Sequence, residues 1–293
     1  MKRQRSKCIV SLGDRKLRSD YYKILSAISV IFTLVSIDPV KICFEKCIIL
    51  KNNMFWRIML ISYIGLLVLA YIMLWIYANK KKEIELNING NVLEVRTGDI
   101  FKEPDDVWKV INVNEYFDTE LGGRESLVSS ESVQGQYLKK FYSTGVKELD
   151  ARISVELAHI QGKKQKRRKN GKDIKYPLGT IFCDKQGDDR YLLTAFSKMD
   201  DANRAYLSMK DYVNFLMNFW EEIDKVYDGH SITVSLFGSG ILRLDNSNIT
   251  EQNLLELIIW SFRNSHIKLA YGAKVTILLY GETANKVALY NLV

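Results

Sequence analysis

The chain has 293 residues, 47% of them hydrophobic and 11% aromatic, which is enough for a sizeable core and excludes global disorder. Three prolines, four scattered cysteines and three isolated histidines exclude collagenous, proline-rich and disulfide-dense classes and argue against a zinc site. The net charge of +8 is unevenly placed, with +11 in residues 1–82 and −3 in residues 83–293, so the C-terminal part is not a basic nucleic-acid binder as a whole.

Residues 1–20 form a basic tail, with seven Lys/Arg against two Asp. Residues 24–37 (ILSAISVIFTLVSI) are uncharged but short for a membrane span unless Tyr21, Tyr22 and a snorkelling Lys23 are included. A signal-peptide core is the rival reading, although no small-x-small cleavage pattern follows. Residues 38–57, the expected outer loop, carry four basic and two acidic side chains, and the i, i+4 pair Cys43 and Cys47 within it reads as free thiols rather than a bridge, with no role assigned. Residues 58–78, containing IGLLVLAYIMLWIYA, are 21 uncharged positions, enough to cross about 30 Å of hydrocarbon. A buried core helix is the alternative, but such a helix carries a polar stripe and this one has none. Trp56, Trp75 and Tyr77 lie near its ends, and Lys80, Lys81 and Lys82 close it. The pattern predicts a two-helix transmembrane hairpin over 21–79 in the plasma (inner) membrane, with both termini cytoplasmic.

A different pattern begins after Lys82. IELNI (84–88) and NVLEV (91–95) flank Asn89-Gly90, a hairpin signal. Strand-like VWKVINV (107–113) follows, then a helical stretch near 134–160 and strands TIFC (180–183) and YLLTAF (191–196). A long helix is predicted over 202–227, its apolar face formed by Tyr206, Met209, Val213, Leu216, Trp220, Ile223 and Tyr227. Strand SITVSLF (231–237), a helix near 250–265 and strand VTILLY (275–280) complete the pattern. Strands separated by helices predict an α/β layered domain over 80–293 with a largely parallel sheet. Residues 163–172 (KKQKRRKNGK) hold seven basic side chains, and the plain reading is a solvated loop. The sharper readings are attraction to anionic lipid or capture of a phosphate-bearing ligand.

Ligands of parallel α/β sheets bind beyond the C-terminal strand ends. Three segments are predicted to reach that edge. Gly98-Asp99-Ile100 offers a carboxylate for an exocyclic amine such as that of adenine. Asn112 and Asn114, leading to Gly122-Gly123, suit a sugar and a pyrophosphate, or equally an Asn-capped turn and a glycine loop. Gly238-Ser239-Gly240-Ile241 can present backbone N–H groups to phosphate oxygens, though it is not a Walker loop.

In this order, the three segments resemble those of the macro-domain family, across roughly residues 84–293. The resemblance implies a three-layer α/β/α macro-like fold. It implies that Asp99, with Ile100, reads adenine and that Asn114, beside Asn112, touches the distal ribose. Gly122, Gly123, Gly238, Ser239, Gly240 and Ile241 would hold the diphosphate, and Tyr280 would stack on adenine. Ile111 stands where the family has its first Asn, and Arg124 where it has a third glycine, departures that weigh against hydrolysis. Arg124 can instead pair with a phosphate or carboxylate, or equally be a plain surface arginine.

Two membrane helices before such a domain, with the run Asn114-Glu115-Tyr116-Phe117-Asp118, resemble the macro-type effectors of bacterial Thoeris anti-phage systems. That resemblance implies a ligand-gated membrane effector rather than an enzyme. Its expected ligand is an ADP-ribose derivative made by a TIR-domain partner, with histidine as a candidate conjugate. Homo-oligomerisation and disruption of membrane lipid would follow. No cofactor, metal, catalytic residue or nucleic-acid partner is expected. A membrane-anchored ADP-ribosyl hydrolase and a passive membrane scaffold are the alternatives.

Overall fold

The computed structural model describes residues 9–34, 52–121, 127–165, 171–200, 202–240, 243–245 and 248–292. The chain forms two compact units, Met1–Lys81 with Ala288–Val293, and Lys82–Val287.

In the first unit, Asp14 caps α1 (Arg15–Leu34) by accepting from the backbone N–H groups of Lys16 (2.9 Å) and Leu17 (3.2 Å). α1 runs antiparallel to α2 (Asn52–Lys80), with the Tyr21 and Tyr71 rings edge to face at 4.9 Å. Val10, Leu17, Ala78 and Tyr290 make a small apolar cluster at the base of the pair. The segment 288–292 is fastened there, its Tyr290 hydroxyl donating to Asp20 (2.6 Å) and its Asn291 amide to Asp14 (3.1 Å).

Over Arg57–Lys80, α2 is long and apolar enough to cross a membrane, and it is not buried within the protein. Leu60, Ile61, Ile64, Val68, Leu69 and Met73 among others are exposed, leaving the helix no polar face. Among the described residues no second helix meets that standard. α1 begins with Arg15, Lys16, Arg18, Asp20 and Lys23, and its uncharged part, 24–34, reaches only about 16 Å. Residues 35–37 of the predicted first span, and the loop cysteines Cys43 and Cys47, lie outside the described residues.

The second unit is a mixed α/β sheet with helices on both faces. Its elements are β1 (Glu83–Ile88), β2 (Asn91–Thr97), β3 (Trp108–Asn114), α3 (Val133–Phe141), α4 (Lys147–Glu156), a two-stranded ladder of β4 (Lys163–Lys164) and β5 (Ile174–Lys175), β6 (Ile181–Gln186), β7 (Asp189–Met199), β8 (Ala205–Leu207), α5 (Met209–Val226), β9 (Ile232–Ser235), β10 (Arg243–Leu244), α6 (Glu251–Asn264) and β11 (Lys274–Leu279). The sheet order is β1-β2-β11-β9-β3-β7-β8-β10, with β6 also paired to β7. β2, β11, β9, β3 and β7 are mutually parallel, as the strand–helix alternation predicts. The Asn89-Gly90 turn joins antiparallel β1 and β2 with φ of 53° and 83°, as the sequence predicts.

Two helical expectations change. The stretch near 134–160 is two helices with a break at Gly145, whose φ is 143°. The helix predicted from 202 starts at Met209, because Ala205 and Tyr206 pair with β7, Leu207 pairs with β10, and the Ser208 hydroxyl accepts from Asp211 N (3.1 Å) as the cap. Tyr206 is therefore a strand residue, and the buried face of α5 is Tyr212, Phe215, Leu216, Phe219, Trp220 and Ile223. α5 packs against α6 through Trp220, whose ring stands edge-on to Phe262 and whose Nε1 donates to Ser261 Oγ (2.9 Å).

On the opposite face, α3 and α4 cover Ile111, Val113, Leu193 and Ala195. Within that layer the fully buried Asp184 accepts from the Tyr137 and Tyr142 hydroxyls and from Gln186, and pairs with Arg152 Nη1 at 2.5 Å. Burial first, and the Asp184 carboxylate second, push the Tyr142 hydroxyl up to about 12.

Two outcomes follow for stability. The folded Tyr142 keeps its proton longer than the unfolded one, so stability falls as pH rises from about 10 to about 12. Tyr142→Phe makes that fall shallower in urea midpoints measured across the range. At Gly135, an added Cβ would stand 2.1 Å from the Ser129 carbonyl oxygen and 2.9 Å from Ser130 Cα, both backbone atoms. Gly135→Ala therefore destabilises by about 1–3 kcal/mol, measured by chemical unfolding of the full chain in detergent.

Candidate ligand-binding site

Because β2, β11, β9 and β3 are parallel neighbours, the segments that leave their C-terminal ends lie along one edge. Three inter-strand steps separate β2 from β3, about 14 Å at ordinary spacing.

Asp99 follows β2. Its carboxylate caps the short 3-10 turn Ile100–Lys102, accepting from Phe101 N (3.1 Å), and keeps 27% of its side-chain surface exposed, with Lys102 Nζ 3.9 Å away. Ile100 is buried in the core with Ile111 and Leu278, so it anchors the turn rather than facing outward. Tyr280 follows β11 and is 60% exposed. Gly238 follows β9 with φ of 82°, where a side chain would be strained. Ser239 closes the turn, its N–H and its hydroxyl both donating to the Leu236 carbonyl (3.3 and 2.8 Å). Among the described residues, no heavy atom lies within 4 Å of the position a Gly240 Cβ would take.

The two asparagines of β3 differ. Asn112 is partly exposed, yet its Oδ1 is buried and has no hydrogen-bond partner among the described residues. Asn114 is only 5% exposed, and its side chain is used by the loop that follows. Its Oδ1 accepts from Tyr116 N (3.0 Å) and Asp118 N (3.3 Å), and its Nδ2 donates to Asp118 Oδ2 (3.0 Å). The Asn-capped turn is thus present, and it supports Phe117 at a φ of 54°. Gly122, Gly123, Arg124 and Ile241 lie outside the described residues. The structure therefore brings Asp99, Asn112, Gly238, Ser239, Gly240 and Tyr280 to one edge, with Ile100 and Asn114 packed behind it.

Sequence reasoning missed what holds the loop after β3. Glu115, 1% exposed, accepts from Met199 N (3.2 Å) and pairs with Lys175 Nζ (3.0 Å). Asp118, equally buried, accepts from Lys172 N (2.9 Å). Lys172 Nζ donates to the Phe117 carbonyl (2.7 Å) and pairs with Asp150 (2.6 Å). Burial holds this ammonium below the usual lysine range despite Asp150 beside it. The end of the basic run is thus a partly buried fastening, whereas Lys163 and Lys164 are exposed on a ladder and residues 166–170 lie outside the described residues. The available signal was the run Asn114-Glu115-Tyr116-Phe117-Asp118, where two carboxylates among apolar residues need buried partners. Among the described residues, no group of three or more His, Cys, Asp or Glu is placed to hold a metal ion.

Residues 93–280 match the family model for "Thoeris protein ThsA, Macro domain". The chain is 36% identical over 237 residues to "Thoeris protein ThsA" of Bacillus amyloliquefaciens (strain Y2), covering 80% of this chain and 78% of that protein. Similar solved structures include a point mutant of the Oceanobacillus iheyensis macrodomain with ADPR, at 17% identity and TM-score 0.47, over 72% of this chain and 96% of that one. The same macrodomain with ADP matches at 17% identity and TM-score 0.46, over 72% and 94%.

The loop network yields a direct outcome. Asn114→Ala removes two capping contacts and destabilises by about 1–2 kcal/mol without ligand, read as a lowered unfolding midpoint.

Proposed function

The chain belongs to the Thoeris ThsA macro-domain family, and on that premise we propose that it is a membrane-anchored anti-phage effector gated by a nucleotide messenger. The macro-like domain takes an ADP-ribose derivative made by a TIR-domain partner, with histidine as the candidate second moiety. Binding favours one assembly state through its differential affinity, and the clustered apolar helices then disturb the bilayer.

The observation that carries this reading is the convergence of Asp99, Tyr280, Gly238-Ser239-Gly240 and Asn112 on one edge spanning four parallel strands. That breadth suits an extended nucleotide better than a compact metabolite. Asp99 accepts from the adenine amine and the exposed Tyr280 ring stacks on the base. The Gly238–Gly240 turn offers backbone donors to the diphosphate. Asn112 meets the distal ribose, while Asn114 shapes the loop beneath it. Gly122, Gly123, Arg124 and Ile241 complete the phosphate loops in this reading, on sequence alone.

We assign binding rather than turnover. The carboxylates nearest the asparagines, Glu115 and Asp118, are engaged by Lys175 and Met199 N and by Lys172 N and Asn114, an arrangement suited to holding a loop rather than to activating water. In the membrane part, α2 crosses the inner membrane and the segment that begins at Tyr21 supplies the second crossing, with both termini cytoplasmic. Ser26, Ala27, Ser29 and Gly65 allow close helix approach between copies in a homo-oligomer.

Calorimetric titration of the full chain in lipid nanodiscs with ADP-ribose and its histidine conjugate tests the reading. Saturable binding is expected, and Asp99→Ala weakens it about tenfold. No heat at millimolar ligand overturns it, and consumption of the conjugate would replace it with a hydrolase. Dye release from liposomes carrying the protein is expected only when ligand is added.

A further inference from the structure

β3 and β7 pair in parallel, and Asn112 and Thr194 are direct partners in that register. Partners in a ladder project from the same face of the sheet at neighbouring positions. Asn112 stands two residues before the strand end, one step from β9, whose following turn is the glycine turn at Gly238.

Both partners carry an orphaned atom. Asn112 Oδ1 and Thr194 Oγ1 are each fully shielded and, among the described residues, each without a hydrogen-bond partner. Thr194 as a whole has no exposed surface, whereas Asn112 is partly exposed. Since Oδ1 contributes nothing to that exposure, the accessible part of Asn112 is the remainder of the residue. An amide oxygen needs a donor, and a threonine hydroxyl supplies one by rotation about a single bond. Buried polar atoms left unpaired on two adjacent central strands, beside a candidate crevice, call for a functional explanation.

We propose, building on the ADP-ribose reading above, that Thr194 is a positioning residue for ligand recognition by Asn112. In the bound state the Thr194 hydroxyl donates to Asn112 Oδ1 and locks the carboxamide with Nδ2 as the outward group. The crevice then presents a donor there, so this point reads a hydrogen-bond acceptor on the ligand, such as a ribose oxygen. Without the hydroxyl, either end of the amide can turn outward, and the discrimination between donor and acceptor is lost.

The test is a comparison of Thr194→Val and Thr194→Ser in the full chain, by calorimetry with ADP-ribose and by thermal unfolding without it. Valine keeps the shape and removes the hydroxyl. Thr194→Val is expected to lose about tenfold in affinity while its melting temperature holds or rises, because an unpaired buried hydroxyl has been removed. Thr194→Ser is expected to bind within about threefold of the parent chain. Parent-like affinity in Thr194→Val overturns this inference alone. So does an affinity loss that accompanies a lowered melting temperature and is not rescued by serine. Absence of ADP-ribose binding by the parent chain overturns the proposed function and this inference with it.

Discussion

The shared direction of β2, β11, β9, β3 and β7 is the constraint on which the candidate site rests. Parallel pairing sends every connection back across a face of the sheet, which is why helices cover both sides. It also leaves all the C-terminal strand ends at one edge, where backbone groups have left the ladder and can meet a ligand. Residues as distant in sequence as Asp99 and Tyr280 become near neighbours because β2 and β11 are adjacent strands. Reversing one of these strands would carry its turn to the far edge and break the row.

Keeping that edge in shape needs charge in a place where charge is costly. Glu115 and Asp118 are almost wholly shielded from solvent, so each depends on a fixed donor set. Beside Met199 N and Asn114 Nδ2, one short segment, Lys172 to Tyr176, supplies part of each set. Lys172 N serves Asp118, Lys175 Nζ serves Glu115, and Tyr176 N donates to the Glu115 carbonyl (2.8 Å). The loop after β3 and the end of the basic run therefore hold one another. Asp184 plays a comparable part in the α3–α4 layer, gathering two tyrosines, a glutamine and an arginine around one carboxylate.

Much of the architecture was legible in the sequence because apolar period and turn chemistry report it locally. VWKVINV and VTILLY are runs of strand length rich in β-branched and aromatic residues, and Asn89-Gly90 admits positive φ at both positions. The start of α5 was misread because Tyr206 falls on the helical period, although Ser208 followed at three residues by Asp211 is a cap signal. The apolar helix α2 was plain from length alone. Its predicted partner was less so, because the charges at the start of α1 leave only a short apolar remainder within the described residues. At the site, the glycine turn and Asp99 could be read as strand-end features. The division of labour between Asn112 and Asn114 could not, since it depends on which hydrogen bonds the folded loop consumes. Thr194 was invisible for the same reason: its meaning comes from register with β3, a pairing across about 80 residues that no local pattern encodes.

One feature of the sheet bears on when the molecule becomes competent. β11 is the last strand in chain order, yet it is inserted between β2 and β9. Until residues 274–279 have left the ribosome, the β1–β2 ribbon has no neighbour, and the adenine end of the proposed groove is severed from its phosphate end. The apolar helix, by contrast, emerges early in translation. Half-made polypeptides therefore carry the long apolar helix before the row of strand ends is assembled, and whatever molecule occupies that edge can address finished copies only.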